Sequence, residues 1–318
     1  MTSRMVSWSL ALVAAVAAYS ETAVFPPELS HLDALVNDEA KLVEAARQYD
    51  VLQQALIAWD EELAAEAAMG GDKAEADRRM AMANQRRDLL DKMYSKMLEH
   101  YSKNARALNY YGEFLYDHRG ETAGAVRLWL LSAAEDSTLS LPHNNLAIHY
   151  THTGNYERGL AEYEKALELE PDNADFLFNL AQMYLINWPQ IKEIKKWDDA
   201  KVFKEAMKLS KEAAELRPTD YQLQQDYAVN FFAAERFNIE PDWKEAAEAW
   251  EEARKRATDL PNVFFSWLNE ARAWLEVPEY EKAITCLEEA LKIMPYSDPA
   301  KALLERAKAG MAEKPSSS

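Results

Sequence analysis

Three histidines, His143, His149 and His152, fall close together. His149 and His152 stand three apart, which on a helix puts both imidazoles on one face at a spacing that can hold a metal. No third ligand follows at regular spacing, so the pair reads as ordinary helix side chains, and neither a metal nor any other cofactor is expected. Cys286, the only cysteine, has no nearby histidine motif and reads as a small apolar core residue. The acidic pairs Glu61-Glu62, Glu251-Glu252 and Glu288-Glu289 sit where helical surfaces would be solvated. A glycine-rich phosphate loop, a GxSxG elbow and an HExxH helix are all missing. The sequence therefore points away from an enzyme.

The elements that carry these residues are helices. With only 8 glycines and 12 prolines among 318 residues, there are too few turn formers for a β-rich fold, while 48% hydrophobic residues allow a substantial core. Residues 36–68 place Leu42, Ala45, Ala46, Tyr49, Leu52, Leu56 and Trp59 mostly three or four apart, the stripe of one buried helix face. Gly70-Gly71 breaks that helix, because glycine tolerates the positive φ needed past a C-terminus. A second helix over about 73–101 buries Leu89, Leu90, Met93, Met97 and Leu98. Together residues 36–104 form a long antiparallel hairpin, a stretched first repeat whose Ser102-Lys103-Asn104-Ala105 matches the later Pro171-Asp172-Asn173-Ala174.

From Leu141 to Pro171 the chain reads as two short amphipathic helices joined at Gly154-Asn155. Ala147 and Tyr150 recur 34 residues later as Ala181 and Tyr184. That period resembles the tetratricopeptide repeat family, with small residues at positions 8, 20 and 27, aromatic residues at 11 or 24, and proline at 32. The last copy fits best, through Trp267, Ala271, Trp274, Ala283, Leu287, Ala290 and Pro295. The copy near Ser140 supplies Ala147, Tyr150, Gly159, Tyr163, Ala166 and Pro171. A weaker one supplies Gly112, Leu115, Ala125 and Trp129, shifted by one residue at its turn. The third resumes only at Ala206, Ala213 and Pro218, about 13 residues late. The fourth offers Ala228 and Phe231 before a longer turn near 238–243.

The resemblance covers roughly 105–296 and implies an all-α, right-handed α-solenoid of helix-turn-helix repeats. The long N-terminal hairpin precedes it, and a capping helix at 297–313 closes it. There Asp298 is the expected N-cap, Pro299 suits the first turn, and Ala300, Leu303, Leu304 and Ala307 form the packing stripe. The tail 314–318 is expected to be disordered.

At the N-terminus, Arg4 precedes an apolar run, Met5 to Ala18, followed by small residues and Glu21. The run is short for a membrane span and has the length of a signal-peptide core. Cleavage before Glu21 is expected, with cleavage before Tyr19 the competitor. Residues 21–35, containing Phe25-Pro26-Pro27, are then a spacer. The reading is an exported protein, periplasmic or extracellular, with no membrane span in its mature chain. A formal charge of −18 disfavours nucleic acid as a partner.

The resemblance also implies a concave groove lined by the first helix of each repeat. In this sequence its N-terminal half offers Arg106, Asn109, Glu113, Asn144 and His152, groups that suit an extended peptide. Its C-terminal half offers Phe178, Gln182, Phe232, Phe265 and Leu268, along with Leu185 and Leu275. So apolar a strip needs cover. Either a protein or peptide fills it, or the chain's own insertions or a second copy fold over it. The insertion at 187–199 carries Trp188, Lys192, Lys196 and Trp197, which read as a contact patch or as a packed lid. The cationic set with which some family members hold a C-terminal carboxylate is lacking. The expected function is a non-catalytic scaffold that binds a protein or peptide of unknown identity. The alternatives are a structural homo-oligomer with a self-covered groove, and an enzyme or sugar-binding protein with a site between the insertions and the groove.

Overall fold

The computed structural model describes Leu32 and residues 35–313. The expected signal segment at 1–20, most of the expected spacer at 21–35 and the tail at 314–318 lie outside the described residues. Those described form fourteen α-helices and no strand, in two compact units that divide between Thr153 and Gly154.

The first unit begins with α1 (Glu39–Met69) and α2 (Lys73–His100), an antiparallel hairpin. Asp38 and Asp72 cap them, each carboxylate accepting a backbone N–H of the first turn, at 3.2 and 3.0 Å. Between them Gly71 takes φ +81°, a conformation in which any other residue would be strained. Then follow α3 (Ala105–Phe114), α4 (Thr122–Glu135) and α5 (Leu141–His152). Asn104 caps α3 as Asn173 caps the corresponding helix of the second unit, so the matching tetrapeptides do the same local work.

The one-residue shift in the weak repeat has a structural form. After Phe114 the chain widens into a π-helical turn, Leu115–Arg119, which Gly120 ends with φ +67°. A π turn accommodates one extra residue without breaking the helix. The hairpin and this first repeat also share one core, in which Leu90, Met93, Tyr94 and Met97 meet Leu108, Phe114 and Trp129. The Tyr111 hydroxyl donates to Asp91 at 2.7 Å across that junction.

The second unit contains α6 (Tyr156–Leu169), α7 (Ala174–Ile186), α8 (Trp188–Lys195), α9 (Asp199–Leu216), α10 (Tyr221–Asn230), α11 (Trp243–Arg256), α12 (Leu260–Glu276), α13 (Tyr280–Ile293) and α14 (Asp298–Glu313). α10 runs on into a 3-10 segment, Phe231–Phe237, closed by Asn238 at φ 53°. Ala181, Ala206, Ala213, Ala228, Ala271, Ala283 and Ala290 are completely or almost completely buried. A larger side chain there would push neighbouring helices apart, which is why the repeat specifies small residues at these phases.

α14 packs on α13 and buries Ala300 and Ala307, with Leu303 and Leu304 half-buried. One detail differs from the sequence reading. Asp298 is the first residue of this helix, and the N–H of Ala300 is met by the Ser297 hydroxyl at 3.4 Å. A serine one residue upstream serves the same orphan donors, and spacing alone does not separate the two.

Small residues matter most where an indole crosses a helix. A Cβ on Gly112 would lie 2.5 Å from Nε1 of Trp129, whose N–H donates to the Asn109 carbonyl at 3.3 Å from a nearly closed site. Gly112→Ala is therefore expected to cost about 1–3 kcal/mol by overpacking. Chemical denaturation monitored by Trp fluorescence checks this; an unchanged midpoint would mean that the indole can withdraw.

Candidate protein-interaction surfaces

In the first unit, Asn109 and Glu113, expected to face a peptide, are already engaged with each other. Asn109 has no exposed surface. Its amide donates to Glu113 at 2.9 Å, and its carbonyl oxygen accepts from Asn145 at 3.0 Å. Asn145 also donates to Glu113, at 3.0 Å, and the second carboxylate oxygen lies 3.3 Å from Arg47. Arg47 in turn pairs with buried Asp50 at 3.0 Å. The chain of bonds thus links the hairpin to two consecutive repeats. Asn144 is buried as well, whereas Arg106 and His152 are exposed. Sequence spacing identified Asn109 and Glu113 but not Arg47, which comes from a helix some 60 residues away.

His149 packs edge-on to Tyr116, with ring centroids 6.0 Å apart, and burial together with nearby His152 lowers its pKa. Among the described residues no group of three or more His, Cys, Asp or Glu is placed to hold a metal. Cys286 is buried beside Glu270, and burial first, then the neighbouring carboxylate, pushes its thiol far above the usual range. A thiol so placed stays protonated at neutral pH.

The apolar strip in the second unit divides into covered and open parts. Leu185 and Leu275 are core residues. Phe178 packs partly buried against Ala174, Leu177 and Leu223, and Leu268 is half-buried. Phe232 lies against Trp243 and Trp250, with ring centroids 5.5 and 6.4 Å away, and the Arg272 guanidinium sits over its ring at 4.3 Å. Phe265 keeps 38% of its surface exposed while its ring meets Trp250 edge-on at 5.5 Å. Val229, 37% exposed, adds to the open apolar surface.

The insertion at 187–199 is a short helix, α8, packed down on the repeat. Ile191 is fully buried, Trp188 meets Phe237 at 5.5 Å, and Trp197 meets Tyr184 edge-on at 5.8 Å. Lys192 pairs with Asp199 at 2.9 Å, Lys195 pairs with Glu164, and exposed Lys196 takes φ 55° to end the helix. Both tryptophans therefore work as packing, and the lysines point toward acids of the same unit.

Sequence reasoning missed Asp226. Gln182 on α7 donates to its Oδ1 at 2.5 Å, while Ser210 on α9 and Asn230 on α10 donate to Oδ2 at 2.8 and 3.1 Å. No lysine or arginine pairs with this carboxylate among the described residues. Burial is the leading cause that pushes its pKa up to about 6, and the Ser210 and Asn230 hydrogen bonds only partly offset it. The available signal was an aspartate inside the first helix of a repeat, a place where carboxylates are usually solvated.

With a folded pKa near 6 against an ordinary 3.8, the folded state holds the extra proton between these values. Stability from Asp226 is complete below about pH 4 and is lost as pH rises through about 6, by at most about 3 kcal/mol. Asp226→Asn is expected to flatten this component, as stability curves at pH 4.5 and 7.5 on both proteins would show. An identical pH slope in the variant would contradict the assignment.

Among the described residues no helix is long and apolar enough to cross a membrane. Residues 149–186 match a family described as TPR repeat. The C-terminal part of a TPR repeat-containing protein from Cytophaga hutchinsonii is similar in structure, with TM-score 0.53 and 17% identity over 87% of this chain and 99% of that one. YrrB, described as a TPR protein with an unusual peptide-binding site, gives TM-score 0.49 and 17% identity over 67% and 97%. PilF from Pseudomonas aeruginosa gives TM-score 0.46 and 13% identity over 81% and 98%. At such identities the first likeness establishes the fold. No curated protein matches the chain in sequence.

Proposed function

We propose that this chain, which carries a TPR repeat and folds as TPR proteins do, is an exported scaffold that binds a protein or peptide through the first-helix faces of its second unit. The observation that carries this reading is the open apolar surface at Phe265 and Val229, set among aromatic residues that are otherwise packed. Burying such surface against a partner contributes about 25 cal/mol per Å², and a helix or strand laid on a groove is a common way of doing so. The polar network of the first unit serves as framework, since its donors and acceptors are satisfied internally. The signal-like run Met5 to Ala18 supports export.

Phe265→Glu isolates the surface role. It is expected to leave the protein folded at a cost of about 1–3 kcal/mol, because the ring keeps 38% of its surface exposed but gives up its edge-on contact with Trp250. It should also lower partner capture from the native envelope fraction at least tenfold, read by quantitative mass spectrometry. Phe232→Glu is a poorer probe, because its ring is pinned between Trp243, Trp250 and Arg272 and its loss would unsettle the fold. Undiminished capture by folded Phe265→Glu would reject this face. Export has its own test: a mature N-terminus at Glu21 is expected, and a secreted or cytosolic protein that retains Met1 would reject cleavage.

A further inference from the structure

Asp226 is recessed but still open to solvent, and its three partners are all neutral donors, Gln182, Ser210 and Asn230. Three cations on neighbouring helices pair with other carboxylates. On α9, Lys208 faces Glu212 at 3.8 Å and Lys211 donates to Glu245 at 2.8 Å. On α11, Arg254 donates to Glu270 at 2.9 Å. Hydrogen bonds fix both oxygens of the carboxylate in orientation, yet no cation balances its charge. An ionised carboxylate offers about four acceptor sites, and three are used here.

The apolar surroundings are set by helix geometry. Phe178 precedes Gln182 by four residues on α7, and Val229 follows Asp226 by three on α10, so each pair shares a helix face. The Gln182–Asp226 bond brings those two faces together. On these two faces the Phe178 ring is half-buried and the Val229 side chain is exposed.

We infer that Asp226 is the anchor for a basic side chain, arginine above all, of a peptide bound on the first-helix face of the second unit. The guanidinium takes the remaining acceptor position on Oδ1, and its stem lies on Phe178 and Val229. Arginine suits the site better than lysine, because it is less strongly hydrated and its planar group stacks on rings. A bound cation favours the ionised carboxylate, so that near and below pH 6 binding and proton release are linked. This inference deepens the proposed function and rests on it.

The test uses the full chain and two synthetic probes, acetyl-Phe-Arg-Val-amide and the same peptide with neutral citrulline in place of arginine. The Asp226 carboxyl is followed by ¹³C NMR between pH 4 and 8. Saturating arginine peptide is expected to lower the apparent pKa of Asp226 by at least one unit, and the citrulline peptide to leave it in place. Binding of the arginine peptide should fall at least tenfold in Asp226→Asn and that of the citrulline peptide should not. Equal binding of both peptides, still competed by the captured partner, would overturn the role of Asp226 while the groove reading stands. No binding of the arginine peptide, or an unmoved pKa on saturation, would overturn the inference as well. The titration of the unsubstituted protein decides the matter even if Asp226→Asn folds poorly.

Discussion

Trp250→Ala is expected to destabilise the second unit by about 3–5 kcal/mol, the usual cost of removing a fully buried aromatic side chain. The indole is completely enclosed and forms the floor beneath both Phe232 and Phe265. Around it lie Ala246, Ala247, Ala253 and Ala271, side chains too small to collapse into the space. The vacated volume would persist, and the surface proposed for partner binding would lose its support. Trp250→Phe should be much milder, about 1–2 kcal/mol or less. Its ring refills most of the volume, and it removes the Nε1–H, which has no hydrogen-bond partner. Denaturant midpoints for the two variants check the contrast. Equal losses would show that the vacated volume is not the dominant cost.

Arg86→Ala is expected to cost a similar amount, about 3–5 kcal/mol, for an electrostatic reason. Arg86 joins α2 to α1, donating to Asp60 at 3.0 Å and to the Gln53 side chain at 3.0 Å. Its side chain and that of Asp60 are 7% and 6% exposed. Truncation leaves the carboxylate of Asp60 in a poorly solvated site with only the outer Arg79, at 3.2 Å, to balance it. The triple replacement Gln53→Leu, Asp60→Leu and Arg86→Met should recover most of that loss. Removing all the polar partners together leaves none unsatisfied. If the triple variant were no more stable than Arg86→Ala, packing by the arginine stem, and not its charge, would be the dominant contribution.

These two sites mark where sequence reading stops. The hairpin stripe at Leu42, Ala46, Tyr49 and Leu56 was legible because a helix buries one face and repeats it every three to four residues. Gln53, Asp60 and Arg86 break that rule, since they are polar residues on a buried seam. Gln53 and Asp60 are tolerated on α1 only because Arg86 arrives from α2 to meet both, and no single-helix pattern contains that fact. The groove residues behave alike. Repeat phase put Asn109, Glu113 and Gln182 on first-helix faces, but phase could not say that Arg47 would reach Glu113 or that Asp226 would take Gln182.

The sequence by itself determined the helices, their breaks and the small-residue phases. These depend on local conformational preference and on a 34-residue period that side-chain volume enforces. It also located the irregularities, at the shifted turn before Gly120 and in the insertion after Ile186. Only the tertiary structure decided what those irregularities became. One is a π turn, and the other a short helix that buries Ile191 and rests its half-buried tryptophans on Tyr184 and Phe237. It likewise decided which polar groups are spent on each other, leaving a carboxylate without a cation and a phenylalanine partly open. Burial and pairing are properties of several helices at once, whereas periodicity belongs to each helix alone.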